Sequence, residues 1–464
     1  MKYLQYIGIG LLFFLLPSCG EDRSGEFYAL IENRVWIEEV MQENYLWYQE
    51  IPPVENENDY LKEPATFFKN MLYKKAFNGK GDRYSYLEEH PKSTEEGRSL
   101  MLDRTSTYGI EFELTNDPTQ TTTHQFARVL YVLPESPAEQ AGIRRGDWIS
   151  AINKKRITTS NYTLLKQGAG LSVAREELVA SEDGWTWIAK DTLQVGPSVT
   201  MEVNPFLVDS VYHIDGQKIA YLVYNEFATG PNNEPDESVY NEQMKQLFSQ
   251  FRSESPDAFI LDLRYNNGGY LQCAQALGSL IVPSDYAGDV FLNLEFNDKA
   301  NPQIISYGFD PALASSSLQL DKIYILTSSY TASAAEAVIH GLIPYLGAEN
   351  VILIGEKTEG KNVAMTPFEN DAFGLTLWPV VAFVQNVNQD GNYSDGFSPT
   401  YPLNDRNEIR PWYPLGDERE FLLKNTLSLI TTGSMPDIPQ NETETMSILY
   451  RSIETKGFPG IRIN

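Results

Sequence analysis

The sequence predicts a multidomain α/β protein: a small helical N-terminal domain, a β-rich middle domain, and a C-terminal α/β domain with a mostly parallel sheet. Three observations carry that prediction. The 464 residues suffice for two or three domains, since a domain usually takes about 100–200. Apolar spacing is helical over residues 26–75 and alternates with period two from about Tyr108. From Ile219 onward, apolar strands alternate with helical stretches, the pattern of a parallel sheet flanked by helices. Hydrophobic residues make up 42% of the chain, enough to build cores and to exclude wholesale disorder. With 36 Lys and Arg against 63 Asp and Glu, the formal charge is −27. Phosphate backbones would repel such a chain, so no nucleic-acid partner is expected. Two cysteines, Cys19 and Cys273, exclude a disulfide scaffold and a Cys-based zinc site. His90, His124, His213 and His340 are scattered without paired-ligand spacing, so no metal site is expected.

The chain opens with Lys2, an apolar run over 7–16, and then Leu16-Pro17-Ser18-Cys19. The run is shorter than the roughly 20 residues that span a bilayer, and has the length of a signal-peptide core. A small residue before a lone cysteine resembles the lipobox of bacterial lipoproteins. That resemblance implies removal of residues 1–18, acylation of Cys19, and a lipid-anchored location in the cell envelope, on the periplasmic face or at the cell surface of the outer membrane. Glu21-Asp22 resembles a sorting signal of some such lipoproteins. An ordinary secretory leader with an incidental cysteine is the alternative.

Over 26–75, Leu30, Ile37 and Met41 form one helical stripe, widened by Val35, Val40 and Tyr45-Leu46-Trp47-Tyr48. Pro52-Pro53 breaks it, and Pro64 with Phe67, Phe68, Met71 and Leu72 predicts a second short helix. The polar, glycine-containing stretch 76–100 reads as a linker. Strands are expected at 108–114 and 127–133, then a short helix opened by Ser136-Pro137 and closed by Gly142, a turn at Arg145-Gly146-Asp147 and a strand at 148–152. This order resembles a PDZ domain of the bacterial protease type, covering roughly 100–205 with an irregular insertion at 165–195. The resemblance implies peptide binding at Tyr108, Gly109, Ile110 and Phe112. The glycine loop would offer amides to a peptide carboxylate, and the strand edge would accept an added strand. A β-rich spacer with the same turn chemistry is the alternative.

Further strands are expected at 219–224, 258–263, 322–327 and 351–354, with helices around 238–252, 270–280 and from near Ser333. The stretch beyond Thr432, with Pro436 and Pro439, reads as a loosely ordered tail. Asn161, Asn392 and Asn441 head N-x-S/T triplets, for which the bacterial lipoprotein resemblance makes glycosylation the minor reading. The expected division is 1–18 leader, 19–97 helical domain and linker, 98–205 PDZ-like domain, 206–432 α/β domain and 433–464 tail.

Three strand-end loops concentrate polar and small residues. Asp262-Leu263-Arg264-Tyr265-Asn266-Asn267-Gly268-Gly269 ends a buried-type strand with two glycines, whose amides can face a ligand unobstructed. Alone it is a plain turn. Ser333, flanked by alanines, opens a helix where developing negative charge is favoured, but Ser333-x-x-Glu336 also satisfies a capping box. In the third loop, 355–362, a desolvated lysine could act as a base, and Lys357 by itself reads as a solvated surface charge.

Taken in order after the PDZ-like segment, "ILDLRYNNGG", "TSSYTASAAEAV" and "GEKTEGK" resemble the tail-specific or C-terminal-processing proteases, serine peptidases of the S41 type. The likeness covers about 100–425, and "NYLWYQ" in the helical leader also fits. It implies a ClpP/crotonase-like α/β peptidase domain, polypeptide substrates and no cofactor. It puts the nucleophile on Ser333, the general base on Lys361, and the oxyanion donors on the backbone N–H groups of Gly268, Gly269 and Ala334. Asp262 and Arg264 become structural members of their loop.

Two departures stand out. The Ser333–Lys361 separation is slightly longer than in the family, and Met365 occupies a position where many members carry a lysine-orienting Gln. A thioether cannot supply a Gln's hydrogen bonds. His340, two helical turns from Ser333, is too far to complete a triad. The expectation is a lipid-anchored serine endopeptidase. The rival is a catalytically impaired, peptide-binding envelope lipoprotein, and the sequence assigns no oligomeric state.

Overall fold

A computed structural model of the protein describes residues 24–90, 106–181, 184–202, 204–406, 411–436, 446–453 and 461–462. The expected leader and Cys19 lie outside the described residues. Among those described, no helix is long and apolar enough to cross a membrane.

The N-terminal unit comprises α1 (Ser24–Asn44), α2 (Pro64–Met71), α3 (Ala76–Gly79) and β1 (Tyr86–Glu89). Pro64 stands in the first turn of α2, where its missing N–H costs nothing. Ile37, Met41, Tyr45, Phe67, Phe68 and Met71 are buried together as expected, whereas Leu30 is 63% exposed and Ile31 takes the buried place in that turn. Residues 76–90 are not a linker. Phe77 and Tyr84 are buried, and β1 pairs antiparallel with residues 375–378 far along the chain. Their polar composition hides aromatic anchors: Phe77 packs on Trp47, whereas Tyr84 and Tyr86 meet Lys361 and Trp378 of the C-terminal domain.

The middle domain is built from β2 (Ile110–Asn116), β3 (Gln125–Val132), α4 (Pro137–Ala141), β4 (Trp148–Ile152), β5 (Lys155–Arg156), β6 (Leu171–Ser181) and β7 (Gly184–Val195). Ser136 caps α4 by accepting from the Glu139 N–H (3.1 Å), and Gly142 ends it in the left-handed region. The strands run β2-β3-β4-β6-β7, with β5 beside β4. The insertion expected to be irregular is the long β6–β7 hairpin. Most of β7 is exposed, so its alternation carries polar residues and escapes a hydrophobic reading.

The C-terminal domain contains β8 (Phe206–Ile214), β9 (Gln217–Tyr224), α5 (Val239–Glu254), β10 (Ala258–Asp262), α6 (Leu271–Ile281), β11 (Val290–Phe296) and β12 (Ile304–Gly308). It continues with β13 (Ile323–Thr327), α7 (Ala334–Leu346), β14 (Val351–Gly355), β15 (Val363–Met365), β16 (Phe368–Asn370), β17 (Leu375–Trp378), β18 (Val380–Gln385), β19 (Tyr401–Pro402) and α8 (Phe421–Thr432). The central sheet runs β19-β14-β13-β10-β9-β8, parallel except for the β8 edge. Side chains of α5, α6 and α7 cover one face and those of α8 the other. Burial on both faces is why these strands read as unbroken apolar runs. Since β10, β13 and β14 are parallel neighbours, the three polar loops emerge side by side at their C-terminal ends. Cys273 is buried within α6, a small apolar core residue.

Two more strands come from the segment expected to be loosely ordered. β20 (Ile448–Arg451) pairs antiparallel with β2, and β21 (Ile461–Arg462) pairs parallel with β15. Strands this short have no periodicity of their own and exist through partners remote in sequence.

Candidate active site

The loop after β13 is stitched to the loop after β10. Thr331 Oγ1 donates to the Leu263 carbonyl (2.9 Å), and the Ala332 N–H to the Asn266 carbonyl (3.1 Å). At the end of this loop Ser333 adopts φ 61°, ψ −116°, a backbone conformation that costs a non-glycine residue about 1–3 kcal/mol. The helix α7 starts one residue later. A serine on a strained strand-to-helix turn is the arrangement that holds a nucleophilic hydroxyl in place. The Ser333 N–H donates to Glu336 Oε2 (2.9 Å), one half of the capping box. The converse contact to the Ser333 hydroxyl closes only loosely, and Ser333 Oγ, fully buried, has no partner with hydrogen-bond geometry. Capping and nucleophile readings are therefore compatible: Glu336 does the capping and the hydroxyl is left over.

Glu336 ties the second and third loops together. Its Oε1 accepts from Thr358 Oγ1 (2.6 Å) and the Gly360 N–H (2.7 Å). Its Oε2 accepts from the main-chain N–H groups of both Ser333 (2.9 Å) and Lys361 (2.8 Å). The backbones of Ser333 and Lys361 thus meet at one carboxylate oxygen. Burial pushes the Glu336 carboxyl up to about 7, while the four donors act the other way. Each oxygen already accepts twice, so an added proton would have no acceptor, and the cradle suits the charged form.

Lys361 is completely buried, and that burial pulls its ammonium down from 10.5 to about 7. Asp82, Glu359 and Glu336 work to retain the proton, and Arg462 works to expel it. A lysine that sheds its proton near neutrality is competent as a base. Its Nζ lies 4.7 Å from the centre of the Tyr84 ring. Tyr84 itself is fixed by the Arg83 guanidinium (2.7 Å) and by donation to Glu359 (3.2 Å). Met365 is fully buried among Val363, Leu377 and Val380, where it packs as a core side chain in the place of the orienting Gln. Lys357 is exposed. His340 is packed beside Tyr393 and Phe397, its Nε2 2.5 Å from the Asp390 carbonyl oxygen.

In the first loop, Gly268 donates its N–H to Asn266 Oδ1 (2.9 Å), whereas the Gly269 N–H has no acceptor among the described residues. Gly269 has φ +139°, and a Cβ there would stand 2.2 Å from the Phe227 carbonyl oxygen. The Ala334 N–H stands in the first turn of α7, where amides lack helical acceptors. Of the three expected oxyanion donors, then, Gly269 and Ala334 have an uncommitted N–H and Gly268 is engaged within its own loop. Asp262 and Arg264 are structural. Arg264 is buried against Asp262 (2.8 Å), Glu420 (2.7 Å) and Asp405 (2.9 Å), clamping the loop to the N-terminus of α8.

The middle domain differs from the open groove expected of it. Tyr108 and Phe112 are core side chains. The Tyr108 N–H donates to the Lys166 carbonyl (3.1 Å) and the Gly109 N–H to Thr107 Oγ1 (2.9 Å), so neither amide is turned outward. The edge of β2, expected to take an added strand at Ile110 and Phe112, is already paired with β20 at Glu113, Leu114 and Thr115 and hydrogen-bonded to Ser452 at Phe112. Sequence reasoning missed Tyr84 and Thr358, which carry no local signal, and took Glu336 for a cap alone. The S-x-x-E spacing was the visible trace of the hub.

Three segments of the chain match known families. Residues 218–401 match the family model "Peptidase family S41", 32–86 match "Peptidase S41 N-terminal domain" and 128–169 match "PDZ domain". A crystal structure of a "Putative S41 protease" from Bacteroides fragilis superposes with a TM-score of 0.75 at 31% identity, covering 86% of this chain and 97% of that one. The "Carboxyl-terminal-processing protease" of Picosynechococcus is 25% identical over 65% of this chain and 66% of its own length. A "Probable CtpA-like serine protease" of Staphylococcus aureus is 25% identical over 73% of this chain and 60% of its own. The chain thus spans under two thirds of the length of these two curated relatives.

Proposed function

Because the chain belongs to peptidase family S41, we propose that it is a serine endopeptidase that cleaves polypeptides with Ser333 as nucleophile and Lys361 as general base. The observation that carries this reading is the convergence at Glu336 Oε2, which holds an unpartnered, strained serine beside a buried lysine drawn toward neutrality. In the proposed reaction Lys361 Nζ takes the Ser333 Oγ proton as the oxygen attacks a peptide carbonyl. The oxyanion of the tetrahedral adduct accepts from the Gly269 and Ala334 N–H groups. Collapse expels the amine, which takes the proton from Lys361 and leaves an acyl-serine. A water, deprotonated by the same lysine, then releases the acid and restores the hydroxyl. In this reading the Tyr84 ring, 4.7 Å from Lys361 Nζ, is the packing contact that positions the lysine where many relatives carry a Gln.

Ser333→Ala and Lys361→Ala should each cut turnover of an unfolded polypeptide by about a thousandfold or more while leaving the fold intact. Retained cleavage in the Ser333 variant would sink the assignment. The middle domain is read as the substrate-gripping module, and Cys19 as the lipid attachment point in the envelope. Cys19→Ala should move the protein from the membrane to the soluble fraction, and unchanged membrane association would remove that part of the proposal.

A further inference from the structure

The chain's last described residues occupy both places where a substrate polypeptide would lie. β20 runs antiparallel along the free edge of β2, with Glu113 opposite Arg451, Leu114 opposite Tyr450 and Thr115 opposite Ile448. The ladder continues past its end, where the Ser452 N–H donates to the Phe112 carbonyl (3.0 Å) and the Phe112 N–H to Ser452 Oγ (2.8 Å). Added strands are how such edges take extended ligands. The Tyr450 ring lies between the two walls of the groove, 5.7 Å from Phe112 on the strand and 4.1 Å from Tyr162 on the short helical segment opposite. Lys166 Nζ sits 5.2 Å from the same ring. Ile453 is then buried against Tyr265 and Tyr330, one from each of the first two active-site loops.

Downstream, β21 is inserted between the first loop and the strand that follows Lys361. Ile461 and Arg462 pair with Ala364 and Met365, and the Arg462 N–H donates to the Gly269 carbonyl (3.1 Å). The Arg462 guanidinium packs 5.4 Å from the Tyr270 ring and 5.0 Å from that of Trp378. One stretch of chain therefore touches the peptide groove, the faces of two active-site loops, and the backbone of the glycine assigned as oxyanion donor.

We propose that the C-terminal segment is a resident ligand of this protein, seated in the peptide groove through Ile448–Arg451 and in the catalytic cleft through Ile461–Arg462, so that a substrate must displace it. The groove then recognises an internal, extended segment with an aromatic residue at the Tyr450 position. It needs no free carboxylate, since the Tyr108 and Gly109 amides are already committed. The cleft half of the proposal rests on the peptidase reading; the groove half does not.

The test measures binding of a fluorescent, C-terminally amidated peptide of residues 446–453 to the full chain. If the tail is seated nine-tenths of the time, the intact protein binds the peptide about tenfold more weakly than an open groove does. Tyr450→Asp should therefore tighten binding about tenfold and raise the rate of polypeptide cleavage at low substrate. A second variant pairs Thr115→Cys with Ile448→Cys, opposite one another in the ladder. Oxidised, it should bind no peptide, and a reductant should restore the intact protein's weak binding. Equal peptide affinity in the intact and Tyr450→Asp proteins, or in the oxidised and reduced lock, overturns the proposal. Tighter peptide binding without cleavage in any form would instead defeat the peptidase reading and leave the resident ligand standing.

Discussion

Replacing Lys361 by methionine should end turnover and make the protein more stable at neutral pH. Lys361 is buried completely, and burial takes its ammonium from 10.5 to about 7 against the attraction of Asp82, Glu359 and Glu336. Unfolding returns the amine to its ordinary value. Between about pH 7 and 10.5 the unfolded chain thus holds one more proton at this site than the folded chain. Stability then rises with pH across that window by about 1.4 kcal/mol per unit, and the penalty is complete below its lower edge. Over the whole window it amounts to roughly 5 kcal/mol. Methionine has comparable reach and no charge to desolvate, so Lys361→Met recovers most of that amount at pH 7 and progressively less toward pH 10.5. Urea denaturation of both proteins at pH 7, 8.5 and 10, followed by near-ultraviolet circular dichroism, reads the gap directly. A variant no more stable than the parent at pH 7, or a gap that does not shrink with pH, would refute the reasoning whatever the activity.

Under the proposed mechanism kcat/KM should climb as pH passes through about 7, because only the neutral Lys361 amine can accept the serine proton. A flat profile from pH 5.5 to 9 would remove Lys361 as the base. Glu336→Gln turns one carboxylate oxygen into a donor, which then faces either Thr358 Oγ1 and the Gly360 N–H or the Ser333 and Lys361 N–H groups. It should cost on the order of 2–5 kcal/mol in denaturation and lower kcat, and parental stability would show that the carboxylate is not the hub described. Gly269→Ala places a methyl 2.2 Å from the Phe227 carbonyl and must displace the loop. Turnover should drop about a hundredfold or more, and an alanine variant with full activity would exclude the Gly269 N–H as an oxyanion donor.

Much of this protein is legible in one dimension because its signals are local. The strands β10, β13 and β14 are buried on both faces and apolar up to their last residue. Each ends in a change to polar and small residues, which located the three loops before their neighbourhood was known. Ser136, Pro137 and Gly142 announced α4 through capping chemistry that acts within a few residues. Local reasoning failed where stabilising partners are distant. β1 is a strand only because residues 375–378 pair with it, and β7 is mostly solvated, so neither shows apolar periodicity.

The sequence by itself determined the α/β alternation, the three loops and the residue types that could act as nucleophile and base, since each depends on near neighbours in the chain. Only the tertiary structure decided what those residues are. Ser333 became an unpartnered hydroxyl, and not merely a cap, because Glu336 is shared among Ser333, Thr358, Gly360 and Lys361. Lys361 lost its ordinary basicity through burial, which depends on Tyr84 from the N-terminal unit and on the packing of the whole α/β domain. The C-terminal segment became two strands because hydrogen-bonding edges waited for it on two domains. Desolvation and edge pairing are properties of what surrounds a residue, and no window of sequence contains the surroundings.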